Sequence, residues 1–211
     1  MTETAERWVP PDADVAELRR AARDCRGCEL WEPATQVVFS AGDVDAALML
    51  IGEQPGDVED REGIPFVGPA GRLLQRAVED AGLARDELYV TNAVKHFRFT
   101  LRGKRRIHQT PQVSHVLACQ PWLAAEIRNV RPELIVVLGA TAARSVLGAG
   151  FRVTKSRGTV LEAETLVGPA RVLATMHPSA VLRLRGEEHD RAYADLVADL
   201  HTAGEALRRT S

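Results

Sequence analysis

Three polar residues of this chain stand where an apolar run gives way to a loop. Glu53 follows the run 46–51 across Gly52, Asn92 lies near the end of 88–94, and His177 follows 171–176. Runs of this length read as buried strands. In an open α/β sheet, ligands bind at the carboxyl ends of strands, so a carboxylate, an amide and an imidazole would converge on one edge. An amide can donate and accept at once, an imidazole can donate or take a proton, and a carboxylate can face developing positive charge. Such a convergence points to a single active site.

A second group is Cys25-Arg26-Gly27-Cys28 with His96 and Cys119. Three cysteines, an odd number, in a chain whose first residues lack an apolar leader core argue for metal or redox use over structural disulfides. On spacing alone the C-x-x-C…H…C set suits structural zinc and an iron–sulfur cluster equally. A third group is basic. Lys95, Arg98, Arg102, Lys104, Arg105 and Arg106 occur with no acidic residue among them and with Phe97 and Phe99 interleaved, and Arg183 and Arg185 form a smaller cluster. The net charge of the chain is only −2. Basic loops on a mildly acidic body suit local contact with phosphates.

These groups need a scaffold, and the remaining sequence predicts one. A chain of 211 residues, 45% apolar and 27% charged, can bury one substantial core. No apolar run approaches the roughly 20 residues of a membrane helix, so a cytoplasmic protein without membrane contact is expected, as a monomer. Residues 1–12 read as flexible. A short helix follows over 15–22, capped by Asp12 or Asp14. The stretch 52–69 carries four glycines and three prolines and reads as a long polar loop. A helix follows over about 69–81, then a strand over 88–94 and a basic loop over 95–109. Thr110-Pro111 reads as the start of a helix that runs to about Asn129 and is kinked at Pro121. Strands are expected at 133–138, 159–163 and 171–176, with helices at 141–147 and 188–208. Alternating strands and helices predict a single-domain, three-layer α/β/α fold around a mainly parallel sheet.

Taken in order, Cys25–Cys28, GEQPG with the later Glu59-Asp60, GIPFVGPAGRLL, VTNAVKH, CQPWL, VVLGATAA and MHPSAVLR resemble a uracil-DNA glycosylase of the iron–sulfur branch related to family four. Gln54 stands where that family usually has a small residue, His96 where it has a cysteine, and Gly103-Lys104-Arg105-Arg106-Ile107-His108-Gln109 is an added basic insert. With these departures the chain resembles the X-type enzymes (UdgX), which become covalently attached to DNA.

The resemblance implies a uracil-DNA glycosylase-like fold and a role for each motif residue. Phe66 would stack on a flipped uracil and Asn92 would read its edge, beside Gly52. His177 would donate toward uracil O2, and Glu53 would face the cationic sugar. His108 would attack C1′, while Gln54 would exclude the competing water. Lys104, Arg105 and Arg106 would hold phosphates, and Leu182 and Arg183 would wedge into the DNA. Cys25, Cys28, Cys119 and His96 would hold a 4Fe-4S cluster. The partner would be uracil-containing DNA, single-stranded and also double-stranded. A glycosylase that turns over and a non-catalytic damage-binding module are the competing readings. A nucleotide-binding α/β protein lacks its G-x-G-x-x-G or Walker signature here.

Overall fold

The computed structural model describes residues 4–209. A six-stranded sheet organises them. Its strands are β1 (Ser40–Gly42), β2 (Leu48–Gly52), β3 (Leu88–Asn92), β6 (Leu134–Leu138), β7 (Val160–Thr165) and β8 (Gly168–Thr175). A separate hairpin supplies β4 (Phe99–Arg102) and β5 (Arg105–His108). The order across the sheet is β1-β3-β2-β6-β8-β7. The four inner strands are parallel, while β1 and β7 close the edges antiparallel. The expected α/β/α architecture with a mainly parallel sheet is what the chain adopts.

The pleat sorts side chains into two cores. Leu48, Leu50, Val90, Val136 and Leu173 face one side. There they meet helices α3 (Pro69–Asp80), α7 (Pro178–Arg183) and α8 (Gly186–Arg208). Met49, Ile51, Tyr89, Ile135 and Val137 face the other side. They pack against α1 (Val15–Ala21), α4 (Val113–Val130) and α5 (Gly139–Leu147). Strands covered on both faces are apolar throughout, which is why 48–51 and 134–138 read so clearly in the sequence.

Several local expectations are corrected. The segment read as flexible over 1–12 is partly built into the body. It forms a 3-10 turn over Ala5–Trp8, and Ala5 is buried with Leu18, Phe39 and Trp122. Residues 1–3 of that segment lie outside the described residues. Asp14, not Asp12, caps α1, in a reciprocal box with Glu17. The long polar loop folds in part into α2 (Asp57–Glu62). The basic loop is a hairpin turning at Gly103-Lys104. Helix α4 starts after Gln112 and not at the Thr110-Pro111 signal, because the imidazole of His115 accepts the Gln112 N–H. It also runs through Pro121, with buried Ala118 and Cys119 before it and Trp122 and Leu123 after it. A short helix, α6 (Val153–Ser156), lies between α5 and β7.

Candidate active site

The carboxyl ends of β2, β3, β6 and β8 open into a cavity of about 710 Å³ that Glu53, Phe66, Asn92, His108, His177, Leu182 and Arg183 line. The expected convergence of Glu53, Asn92 and His177 is therefore present, and the basic hairpin adds His108 to them.

Asn92 is buried, and its Oδ1 has no hydrogen-bond partner among the described residues. An unsatisfied buried acceptor is costly, so this oxygen is suited to a ligand N–H. Register explains its place. Asn92 pairs with Gly52 across the parallel ladder, and a Cβ on Gly52 would lie 2.3 Å from Asn92 Oδ1 and 2.5 Å from Phe66 Cζ. Only glycine leaves room there for both side chains.

Phe66 is held in the left-handed region, with φ of 59°. A phenylalanine reaches that conformation only where its surroundings impose it. Glu59 supplies one constraint: its carboxylate accepts the N–H groups of Gly56 at 3.1 Å and Gly68 at 2.8 Å, closing the loop around Phe66. Gly71 supplies another, since a Cβ there would fall 1.8 Å from the Phe66 carbonyl oxygen. The ring ends 6.5 Å from the His177 ring, tilted by 31°.

His177 caps α7. Its Nδ1 accepts the Ser179 N–H at 3.1 Å and lies 2.8 Å from the Ser179 hydroxyl. That contact fixes the tautomer, leaving the hydrogen on Nε2 as a donor. Burial lowers its pKa to about 4, and nearby His108 and Arg183 push the same way. The imidazole is thus a neutral donor at pH 7.

Glu53 accepts the Thr141 hydroxyl at 2.5 Å through Oε2, while its Oε1 lies 3.5 Å from His108 Nε2. Burial lowers the pKa of His108, against the pull of Glu53, so this ring is also neutral near pH 7. Thr141 was not singled out in the sequence. The signal available was its place, two residues past the glycine that follows a buried strand.

Gln54 holds the hairpin. Its amide nitrogen donates to the carbonyls of Arg98 at 3.2 Å and Gln109 at 3.0 Å, and its oxygen accepts the Arg98 N–H at 3.1 Å. The amide is therefore spent on the base of the strand pair that carries His108. Any exclusion of water by Gln54 runs through the hairpin it positions.

Arg106 corrects the expectation of a phosphate contact. Its guanidinium pairs with Asp57 at 2.5 Å and Asp60 at 2.6 Å, and it lies against the rings of Phe97 and Phe99. Asp60 is fully buried, so the pair fastens the hairpin to α2 and leaves no free charge for DNA. Lys104 and Arg105, next to the turn, are exposed, and so is Arg183. Leu182 is half-buried against the core.

The cysteines are all free. Cys119 donates to Cys28, which lowers the Cys28 pKa and raises that of Cys119. Cys25 Sγ accepts the Trp122 indole N–H at 3.3 Å. Burial lowers the pKa of His96 to about 4, so its ring is neutral and free to ligate. As a donor set, three thiols and a neutral buried imidazole fit a soft metal centre. Among the described residues, however, no three His, Cys, Asp or Glu side chains already stand as a ready metal cage.

Residues 39–201 match the family model of the uracil DNA glycosylase superfamily. The chain belongs to that superfamily. It is 35% identical over 167 residues to a type-4 uracil-DNA glycosylase of Thermotoga maritima, covering 79% of this chain and 82% of that one. A type-4 enzyme of Archaeoglobus fulgidus is 33% identical over 170 residues, covering 79% and 82%. A type-5 uracil-DNA glycosylase of Pyrobaculum aerophilum is 31% identical over 183 residues, covering 78% and 75%. Among the described residues no helix is long and apolar enough to cross a membrane.

The depressed pKa of His177 has a measurable sign. Nitrogen-15 NMR of histidine-labelled protein should show the Nε2–H tautomer persisting to about pH 5, with protonation centred near 4. Because the folded-state pKa lies below the ordinary 6.5, the wild type should lose stability relative to His177→Gln as pH falls from 6.5 through 4. A midpoint near 6.5 would show that the ring is not buried in this way.

Proposed function

We propose that this protein is an enzyme that excises uracil from DNA and then stays bonded, through His108, to C1′ of the emptied sugar. The observation that carries the proposal is the His108 imidazole, standing 3.5 Å from the Glu53 carboxylate at a cavity whose floor holds the unpaired Asn92 oxygen. The type-4 and type-5 relatives are named as uracil-DNA glycosylases, which supports the excision half. Gln54, His96 and the basic insert support the X-type half.

The chemistry follows from the residues. A uracil turned out of the stack lies against Phe66. Its N3–H donates to Asn92 Oδ1, and its O4 accepts from the Asn92 amide nitrogen. Cytosine presents the opposite pattern and would leave both groups buried and unpaired. The C1′–N1 bond then breaks with its electron pair leaving on uracil, and negative charge grows on O2. The neutral His177 offers its Nε2–H there as a hydrogen bond and keeps the proton. C1′ becomes cationic, facing Glu53. The ring nitrogen of His108 that carries the lone pair bonds to C1′, and the proton on its other nitrogen passes to Glu53. Gln54 and Arg106 fix the hairpin, so the imidazole is already within reach when the cation forms. Lys104, Arg105 and Arg183 meet phosphates, and Leu182 fills the space the base has left. Single-stranded DNA is the easier substrate because no base pair has to open.

Cys25, Cys28, Cys119 and His96 would hold a 4Fe-4S cluster, with three thiolates and one imidazole. When bound, such a cluster would supply a structural tie between the N-terminal segment, α4 and the turn that follows Asn92. Iron and sulfide should accompany anaerobically purified wild type and His96→Cys, and be lost in Cys119→Ala. Iron-free wild type would overturn the cofactor.

Denaturing electrophoresis with a uracil-containing oligonucleotide tests the trapping. Wild type should give a boiling-resistant shifted band, with the DNA remnant on the peptide that contains His108. His108→Ala should lose the band, and His108→Ser should release uracil over many turnovers once water can attack. An undiminished band in His108→Ala would contradict the assignment. Turnover by wild type without any band would identify an ordinary glycosylase.

A further inference from the structure

Lys95 is 1% exposed, yet it carries an ammonium. Its Nζ donates to the Glu126 carboxylate, to Thr91 Oγ1 at 2.6 Å and to the main-chain oxygen of Asn92 at 2.9 Å. All three donors are therefore used, and the Phe39 ring lies 5.1 Å away. Glu126, fully buried, is held in turn by the hydroxyls of Tyr89 and Thr91, each 2.9 Å from Oε1.

Burying such a pair rarely adds net stability compared with apolar side chains of similar volume. What an ammonium does here, and a methyl group cannot, is to grip the carbonyl of the residue that lines the cavity. Asn92 ends β3. The next two N–H groups turn away to Gly52 O at 2.9 Å and Glu53 O at 3.0 Å, and Lys95 folds back across three residues to close the turn. The Asn92 side-chain oxygen has no partner among the described residues to orient it. Its direction comes from the backbone, which the ladder to Gly52, these two N–H bonds and the Lys95 ammonium hold together.

The geometry points to Lys95, paired with Glu126, as a positioning residue for uracil recognition, acting through the main chain of Asn92. This rests on the reading above that Asn92 receives the uracil edge. Lys95 touches no substrate. It sets the peptide that aims the amide, so its loss should slow uracil release and leave the phosphate contacts of the hairpin and α7 intact.

The test replaces both charges together, because removing one alone strands the other. In Lys95→Met/Glu126→Leu, Tyr89 keeps Ser40 Oγ at 2.7 Å and Thr91 keeps the Phe39 carbonyl at 3.1 Å. Should that variant not unfold cooperatively in urea, Lys95→Met/Glu126→Gln retains an acceptor for both hydroxyls and is read in the same way. The readout is uracil release in a single turnover, with the protein concentration varied over a uracil-containing oligonucleotide. The maximal rate should fall on the order of 100-fold, as a misplacement of about 1 Å can cause, while the half-saturating concentration stays within about threefold. On an Asn92→Ala background the same double change should cost almost nothing further, since residues acting as one unit are not additive. A folded double variant with the wild-type rate overturns the inference, and so does a full further loss on Asn92→Ala. If Asn92→Ala itself releases uracil at the wild-type rate, the reading of Asn92 falls first and this inference with it.

Discussion

The parallel pairing of β2 with β3 sets Gly52 beside Asn92, and the rest of the site is arranged around that contact. Because the two strands end in register, the carboxylate of Glu53 and the amide of Asn92 emerge at one edge. Because position 52 has no side chain, Phe66 and Asn92 approach across it, where a Cβ would meet both closer than atoms can pack. The register itself is held by leucines and valines buried on both faces of the strands, so the core decides where the chemistry stands. A one-residue slip would turn Asn92 to the other face and remove the pocket floor.

Upon this frame the chain adds a second, polar layer of restraint. Glu59 ties the glycine turns that bracket Phe66, Thr141 orients Glu53, and Ser179 sets the His177 tautomer. The hairpin brings His108 to the same cavity. It is fastened at its base by Gln54 and along its side by Arg106, which gives up its charge to Asp57 and Asp60. A hairpin so anchored holds the His108 imidazole beside Glu53. The same anchoring divides its cations into one that builds the hairpin and three, Arg102, Lys104 and Arg105, that remain exposed.

Much of this was legible in the sequence because burial writes plainly. Strands covered on both faces are uniformly apolar, and Glu53, Asn92 and His177 interrupt or end such runs, so their convergence followed from the parallel sheet alone. The hairpin was not legible. Its strands are short and exposed, with Thr100 and Ile107 the only β-branched residues amid cations, so no alternation marks them. Arg106 looked like its neighbours because its partners lie almost fifty residues away in α2, itself hidden in a stretch rich in turn residues. Pro121 misled for a related reason: local chemistry favours a kink, whereas packing on both sides of it carries α4 through. Thr141 and Glu59 act on other groups of the chain, not on a ligand, and nothing in their spacing announces that.

The central claim is that the Asn92 amide reads uracil at the end of β3. Uracil release in a single turnover, compared between wild type and Asn92→Asp, tests it most directly. The change keeps the shape of the side chain but replaces an N–H₂ donor with an oxygen facing uracil O4. The account predicts a rate lower by roughly 100- to 1,000-fold, as for the loss of a hydrogen bond made in the transition state. A variant that releases uracil within a few-fold of wild type would contradict it.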